Sequence, residues 1–209
     1  MKEEGWFCKS RTCENIVIIG SVEWLGRELA SRLNLGRKQL VARTIPPAGG
    51  APINMQEFET VRRQLKQIIG SSGKLIDAVV CCVAGVDERH FDALDFADFR
   101  ASFECHVLPQ VNVALAACEQ IKKSGVITLT SGPSQTHTDL GVLQAFTNRA
   151  LEAFVKATAM AKKADEICIN IVQAPLPANQ PDAATVDKIV KTYIEAITVT
   201  PTGEPVGVS

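Results

Sequence analysis

The stretch ENIVIIGSVEWLGRELASRLN, residues 14 to 34, decides the fold. Its first seven residues form a short apolar run closed by Gly20, and the remainder carries apolar residues at helical spacing through Leu25, Leu29, Ala30 and Leu33. A strand, a tight turn and a helix are predicted in that order. The unit then repeats. KQLVART (38 to 44) reads as a second strand, ended by a loop holding Pro46, Pro47, Gly49 and Gly50, and MQEFETVRRQLKQIIG (55 to 70) as an amphipathic helix stopped by Gly70. LIDAVVCCVAG (75 to 85) is apolar almost throughout, as a strand covered on both faces must be, and belongs at the centre of the sheet.

A polar connection leads to FRASFECHVLPQVNVALAACEQIKK (99 to 123), a long helical pattern in which Pro109 predicts a kink or a break. VITLTS (126 to 131) is a strand, 143 to 162 a helix, EICINIVQ (166 to 173) a strand, 184 to 196 a helix, and the last short strand falls near 204 to 208. Six strands alternating with helices specify an α/β fold, a Rossmann-like doubly wound parallel sheet in three layers with right-handed crossovers. With 209 residues, the chain has length for one core, so 1–209 is read as a single domain. Such sheets bind ligands outside the carboxyl ends of their strands. Gly20, Cys82 to Gly85, Ser131 and Gln173 to Pro175 should therefore line one crevice.

The balance of residues narrows the partners. Charged residues are 22% of the chain and the formal net charge is -1, so there is no large basic field for nucleic acid or an anionic membrane. No apolar run approaches the roughly 20 residues that cross a bilayer, and MKEEGWFCKSRTCEN lacks the pattern of a signal peptide, which points to a cytoplasmic protein. Of the seven cysteines, Cys81, Cys82, Cys105, Cys118 and Cys168 sit in apolar segments and are read as reduced core thiols. Cys8 and Cys13 have no second pair at ligand spacing, so no metal is expected.

With its landmarks in this order, the chain resembles the short-chain dehydrogenase/reductase family across nearly its full length, in a short form without a substrate-domain insertion. GSVEWLGRELA (20 to 30) lies where the family has its glycine-rich phosphate loop, and CVAG (82 to 85) where it has an NNAG-like turn after the fourth strand. ITLTSG (127 to 132) resembles the serine strand, ALEAFVKATAMA (150 to 161) the continuation of the YxxxK helix, CINIVQAP (168 to 175) the VNxVSPG turn, and PTGEPVGV (201 to 208) the last strand. The resemblance implies a homodimer or homotetramer built through the family's helix-packing face.

The departures bear on the chemistry. The family's YxxxK falls on Gln144 and Asn148. In the family the tyrosine hydroxyl is the general acid or base, and the lysine lowers its pKa and holds the nicotinamide ribose. Gln144 cannot titrate and Asn148 carries no charge; the only tyrosine, Tyr193, lies in the last predicted helix. A positioned acid contributes roughly 10²- to 10⁴-fold, so hydride transfer by the family mechanism is not expected. In the phosphate loop, Gly20 and Gly26 remain, but Glu23 and Trp24 stand where a middle glycine lets the backbone approach pyrophosphate, bringing a negative charge and a large ring. On the other side, Arg43 ends the second strand as a base does in NADP-preferring members, Asn54 lies where a side chain meets adenine, and Gly85 closes the NNAG-like turn. No cofactor is the first expectation and NADP the alternative.

His106 stands where the family has its helix asparagine, giving a group that titrates near neutral pH. Three readings follow. In the first, a cofactor-independent enzyme carries out proton-transfer chemistry (isomerisation, cyclisation or dehydration) on a small carbonyl compound. His106 is then the acid or base, and Ser131, Gln144 and Asn148 are hydrogen-bond donors. The second is a non-catalytic, ligand-binding or partner-stabilising protein; the third is an NADP-dependent reductase with a non-canonical site. Ser134, His137 and Asp139 in SGPSQTHTDLG (131 to 141) are read as loop residues, since closeness in sequence does not assemble a triad.

Overall fold

The computed structural model describes residues 13–20, 23–34, 41–45, 54–83, 89–133, 141–176, 180–198, 203 and 205–208; at 23 and 41–45 only the main chain is described. The strands are β1 (Asn15–Gly20), β2 (Val41–Ile45), β3 (Ile76–Cys82), β4 (Ile121–Ser131), β5 (Cys168–Gln173) and β6 (Pro205–Gly207). The helices are α1 (Glu23–Asn34), α2 (Phe58–Ser72), α3 (Phe96–Ser102), α4 (Leu108–Cys118), α5 (Val142–Ala161) and α6 (Ala183–Thr198). All six strands lie in one sheet in the order β2-β1-β3-β4-β5-β6, and every pairing is parallel. The Rossmann-like reading holds: among the described residues the sheet is all parallel, with β1 and β3 at its centre and β2 on the far side of β1. Strand order reverses between β1 and β3, which places the crevice at their carboxyl ends.

Side-chain alternation along the strands feeds two cores. One face of the sheet, with Ile16 and Ile18 of β1 and Val80 and Cys82 of β3, packs on Leu25, Leu29 and Leu33 of α1 and on Ile189, Val190 and Tyr193 of α6. On the other, Val17, Ile19, Val79 and Cys81 meet Val61 and Leu65 of α2, Val113 and Ala117 of α4, and Leu151 and Val155 of α5. β3 is buried at all seven positions, as its apolar sequence requires. At the opposite end from the crevice, the buried Asp77 accepts from the Glu14 and Asn15 amides at 2.7 and 2.6 Å and pairs with Lys122, pinning the starts of β1, β3 and β4.

Three local expectations are corrected. α2 runs through Gly70 to Ser72 and is capped by Gly73 at φ 66°, whose amide donates to the Ile69 carbonyl at 2.8 Å. The left-handed residue that ends a helix is the one without a Cβ penalty, and that is the second glycine. The long helix expected over 99 to 123 is three pieces: α3, a π-helical turn (Phe103–Val107) and α4. Pro109 has no amide and its ring collides with the carbonyl four residues back, so the turn before it widens and Leu108 donates to the Phe103 carbonyl. Residues 121 to 123 are strand, as the first residues of β4. Cys168, expected as a reduced core thiol, is disulfide-bonded to a partner outside the described residues, whereas Cys81 and Cys82 are buried free thiols and Cys105 is exposed.

Candidate functional site

The crevice is built where β3 and β4 part. Their ladder runs as far as Val80 opposite Thr128. The next main-chain pair on β4, that of Thr130, is held by a side chain instead. Gln110, in the first turn of α4 and 1% exposed, donates from Nε2 to the Thr130 carbonyl at 2.7 Å and accepts from the Thr130 amide at 2.8 Å. The same Nε2 donates to the His106 carbonyl at 3.0 Å, tying the π-helical turn to the strand end. The π-helical turn is what brings Pro109 and Gln110 inward at the start of α4, where both are buried.

Behind the strand, the Thr130 hydroxyl donates to the Cys81 carbonyl at 2.6 Å, so the hydroxyl of Tyr193 donates to Thr130 Oγ1. This tyrosine is fully buried among α1, α6 and the sheet. Burial first, then the neighbouring Cys82, pushes its hydroxyl well above the ordinary tyrosine range. It is a neutral structural group on the face away from the crevice, and no substitute for the family's acid. Burial likewise pushes the Cys82 thiol far up, which removes it as a nucleophile.

Ser131, the next residue, faces the other way. It is 4% exposed, its carbonyl accepts from the Ala174 amide at 3.0 Å, and its Oγ has no hydrogen-bond partner among the described residues. Across from it stand two residues of α5 on its buried stripe. Asn148 accepts from the Gly132 amide at 3.0 Å and donates to the Gly132 and Pro133 carbonyls, each at 3.2 Å. Both amide hydrogens and one lone pair are thereby occupied. Gln144, 7% exposed, lies against Gly132 so closely that a Cβ there would overlap its Nε2, and its side-chain amide makes no hydrogen bond with a described residue. Ser131, Gln144, Asn148 and the half-buried His106 line one cavity of ≈ 10 Å³, room for about one water-sized group. The four residues singled out in the sequence are thus brought together. The expected role of Asn148 as a donor to ligand is corrected, because the main chain of 132 and 133 already takes its hydrogens.

The phosphate end differs from expectation as well. Gly20 has φ 158° and a Cβ on it would overlap the Cys82 carbonyl oxygen, so the glycine is required by the close approach of β1 to β3. Trp24, 4% exposed, is part of the core between α1 and α6 and does not fill the crevice; Gly26 is buried in α1. Asn54, expected opposite adenine, works locally: it accepts from the Gln56 amide at 3.1 Å and donates to Glu57 at 2.9 Å at the start of α2. The side chains of Glu23 and Arg43, together with Gly85, Ser134, His137 and Asp139, lie outside the described residues. Gln110 and Thr130 were missed in the sequence, where the one signal was a polar residue directly after the helix-breaking Pro109. Among the described residues there is no cluster of ligands for a metal ion, and no helix is long and apolar enough to cross a membrane.

No protein-family model matches the chain, and no curated protein sequence matches it. Solved structures do. The protein lin1944 from Listeria innocua is similar at 18% identity and TM-score 0.73, covering 93% of this chain and 99% of that one. A short-chain dehydrogenase from Burkholderia cenocepacia J2315, solved in complex with NADP, has 15% identity and TM-score 0.74, with coverage of 94% and 96%. A short-chain dehydrogenase/reductase from Serratia marcescens has 16% identity, TM-score 0.72 and the same coverage. The fold is that of the short-chain dehydrogenases over nearly the whole chain.

Proposed function

We propose that this chain is a short-chain dehydrogenase-fold protein that has given up the family's tyrosine-dependent hydride transfer and uses its crevice to bind a small uncharged ligand. One observation carries the reading: the tyrosine and lysine positions hold Gln144 and Asn148, and Asn148 is built into the main chain of Gly132 and Pro133. The fold implies a dinucleotide, and a neighbour was solved with NADP. The nicotinamide end does not fit it here, since a residue with both amide hydrogens occupied cannot hold a ribose as a lysine does. The test is a calorimetric titration with NADPH, repeated with NADH. No heat at millimolar cofactor is expected. Micromolar binding sinks the proposal and returns the chain to the NADP-dependent reductases.

A second reading, proton-transfer chemistry on a small carbonyl compound without a cofactor, is favoured by His106, the one ordinarily titratable side chain among the described residues that line the cavity. Activity towards such compounds that disappears in His106→Ala would select it over binding alone. Self-association belongs to the proposal too. Leu108 and Leu115 on α4 and Phe146 on α5 are exposed at 40%, 48% and 42%, an apolar set suited to a homodimer or homotetramer. Light scattering of Leu115→Glu against the parent tests it, a monomeric parent being the outcome against. A small-molecule ligand in the cytoplasm, with neither nucleic acid nor membrane as partner, completes the proposal. A Cys168 disulfide persisting in protein extracted under thiol-blocking conditions would argue against that compartment.

A further inference from the structure

The unoccupied polar groups of the cavity narrow the ligand, given the binding role proposed above. Ser131 Oγ is more than nine-tenths buried and has no partner among the described residues, although a buried hydroxyl left so is costly. Gln144 is also more than nine-tenths buried, and its side-chain amide makes no hydrogen bond with a described residue. Among the described residues that line the cavity there is no Lys, Arg, Asp or Glu. A carboxylate entering it would lose its hydration with no cation to replace water. A ketone would accept from Ser131 but offer nothing to the oxygen of the Gln144 amide, which is both donor and acceptor.

We infer that the cavity between β4 and α5 is a receptor for a carboxamide head group. Its carbonyl oxygen accepts from Ser131, and its N–H donates to Gln144. The cavity takes only the carbonyl oxygen, because ≈ 10 Å³ is room for about one water-sized group; the N–H and the remainder of the ligand stay outside it, in the crevice. Gly132 is part of the device. A side chain there would displace the Gln144 amide, and the position needs no left-handed backbone.

The experiment is an NMR titration of the full chain with benzamide, acetophenone and benzoate, probes of similar shape that differ in the head group. Benzamide should bind about fivefold or more tightly than either of the others. In Gln144→Leu benzamide and acetophenone should become equal. Gly132→Ala, which keeps the glutamine but moves its amide, should have the same effect and guards against a Gln144 variant that fails to fold. Ser131→Ala should weaken benzamide and acetophenone alike. The inference is overturned if no probe binds at millimolar concentration, if acetophenone or benzoate matches benzamide, or if the preference survives Gln144→Leu and Gly132→Ala. NADPH binding would defeat the preceding proposal by a separate measurement, so the two failures are distinguishable.

Discussion

Thr130 and Ser131 are neighbours on one strand, and their hydroxyls meet opposite fates. Thr130 faces α6, where its oxygen links the Tyr193 hydroxyl to the Cys81 carbonyl and its main chain is held by Gln110. Ser131 faces α5, where its hydroxyl is buried without a partner among the described residues and lines the same cavity as Gln144. α5 repeats the contrast one turn apart: Asn148 is knitted into Gly132 and Pro133, and Gln144 is not. Thr130 and Gln110 complete a broken ladder; Ser131 completes none, and it lines the cavity where a ligand is proposed. Around the carboxyl end of β4 the two kinds lie within a few residues of each other.

The contrast can be broken by substitution. Gln110→Ala should have the largest effect, lowering stability by about 3 kcal/mol or more in urea unfolding, because both main-chain groups of Thr130 lose their partner inside the protein. A loss of less than about 1 kcal/mol would mean that water replaces the side chain. Asn148→Ala should cost about 2 kcal/mol by the same reasoning, with the Gly132 amide orphaned. Ser131→Ala should fall within about 0.5 kcal/mol of the parent or be stabilising, since it removes an unsatisfied hydroxyl. A clear loss there would show that Ser131 has a structural partner and would end the distinction between the two faces.

The smallest effect concerns acid. Asp182 accepts from the Thr185 hydroxyl and from the Ala184 and Thr185 amides at the start of α6. The Thr185 hydroxyl, then these amides, hold its carboxyl below the usual range. A carboxylate depressed in the folded state contributes stability above its unfolded pKa and loses it as pH falls through the folded value. The melting temperature of Asp182→Asn should therefore approach the parent's at strongly acidic pH and lie slightly below it near neutrality. A difference that is the same at both pH values would show that the charge plays no part.

Much of the architecture was legible because it depends on period. Runs such as NIVIIG and IDAVVCC can be buried on both faces only in a covered parallel sheet, and Leu25, Leu29 and Leu33 mark one stripe of α1. The meeting of Ser131, Gln144, Asn148 and His106 was legible too, through the order of family-like landmarks. The roles were not. Asn148 and Gln144 are both uncharged amides on one helical stripe, and nothing in their spacing says that the first meets a main-chain turn sixteen residues earlier while the second meets a void. Trp24 reads as an obstacle in a phosphate loop until the helix is docked and its ring proves to be core.

By itself, then, the sequence determined the alternation of strands and helices, the absence of a tyrosine acid in the crevice, and the break in the long helix, since each follows from residue type and local sterics. The tertiary structure alone decided that the break delivers Gln110 to Thr130, that Tyr193 is sealed behind the sheet, and which of two neighbouring amides is bonded to the main chain of Gly132 and Pro133. Hydrogen bonding is directional and short-ranged, so whether a polar group is satisfied depends on atoms far away in the chain, and only the folded packing brings them within reach.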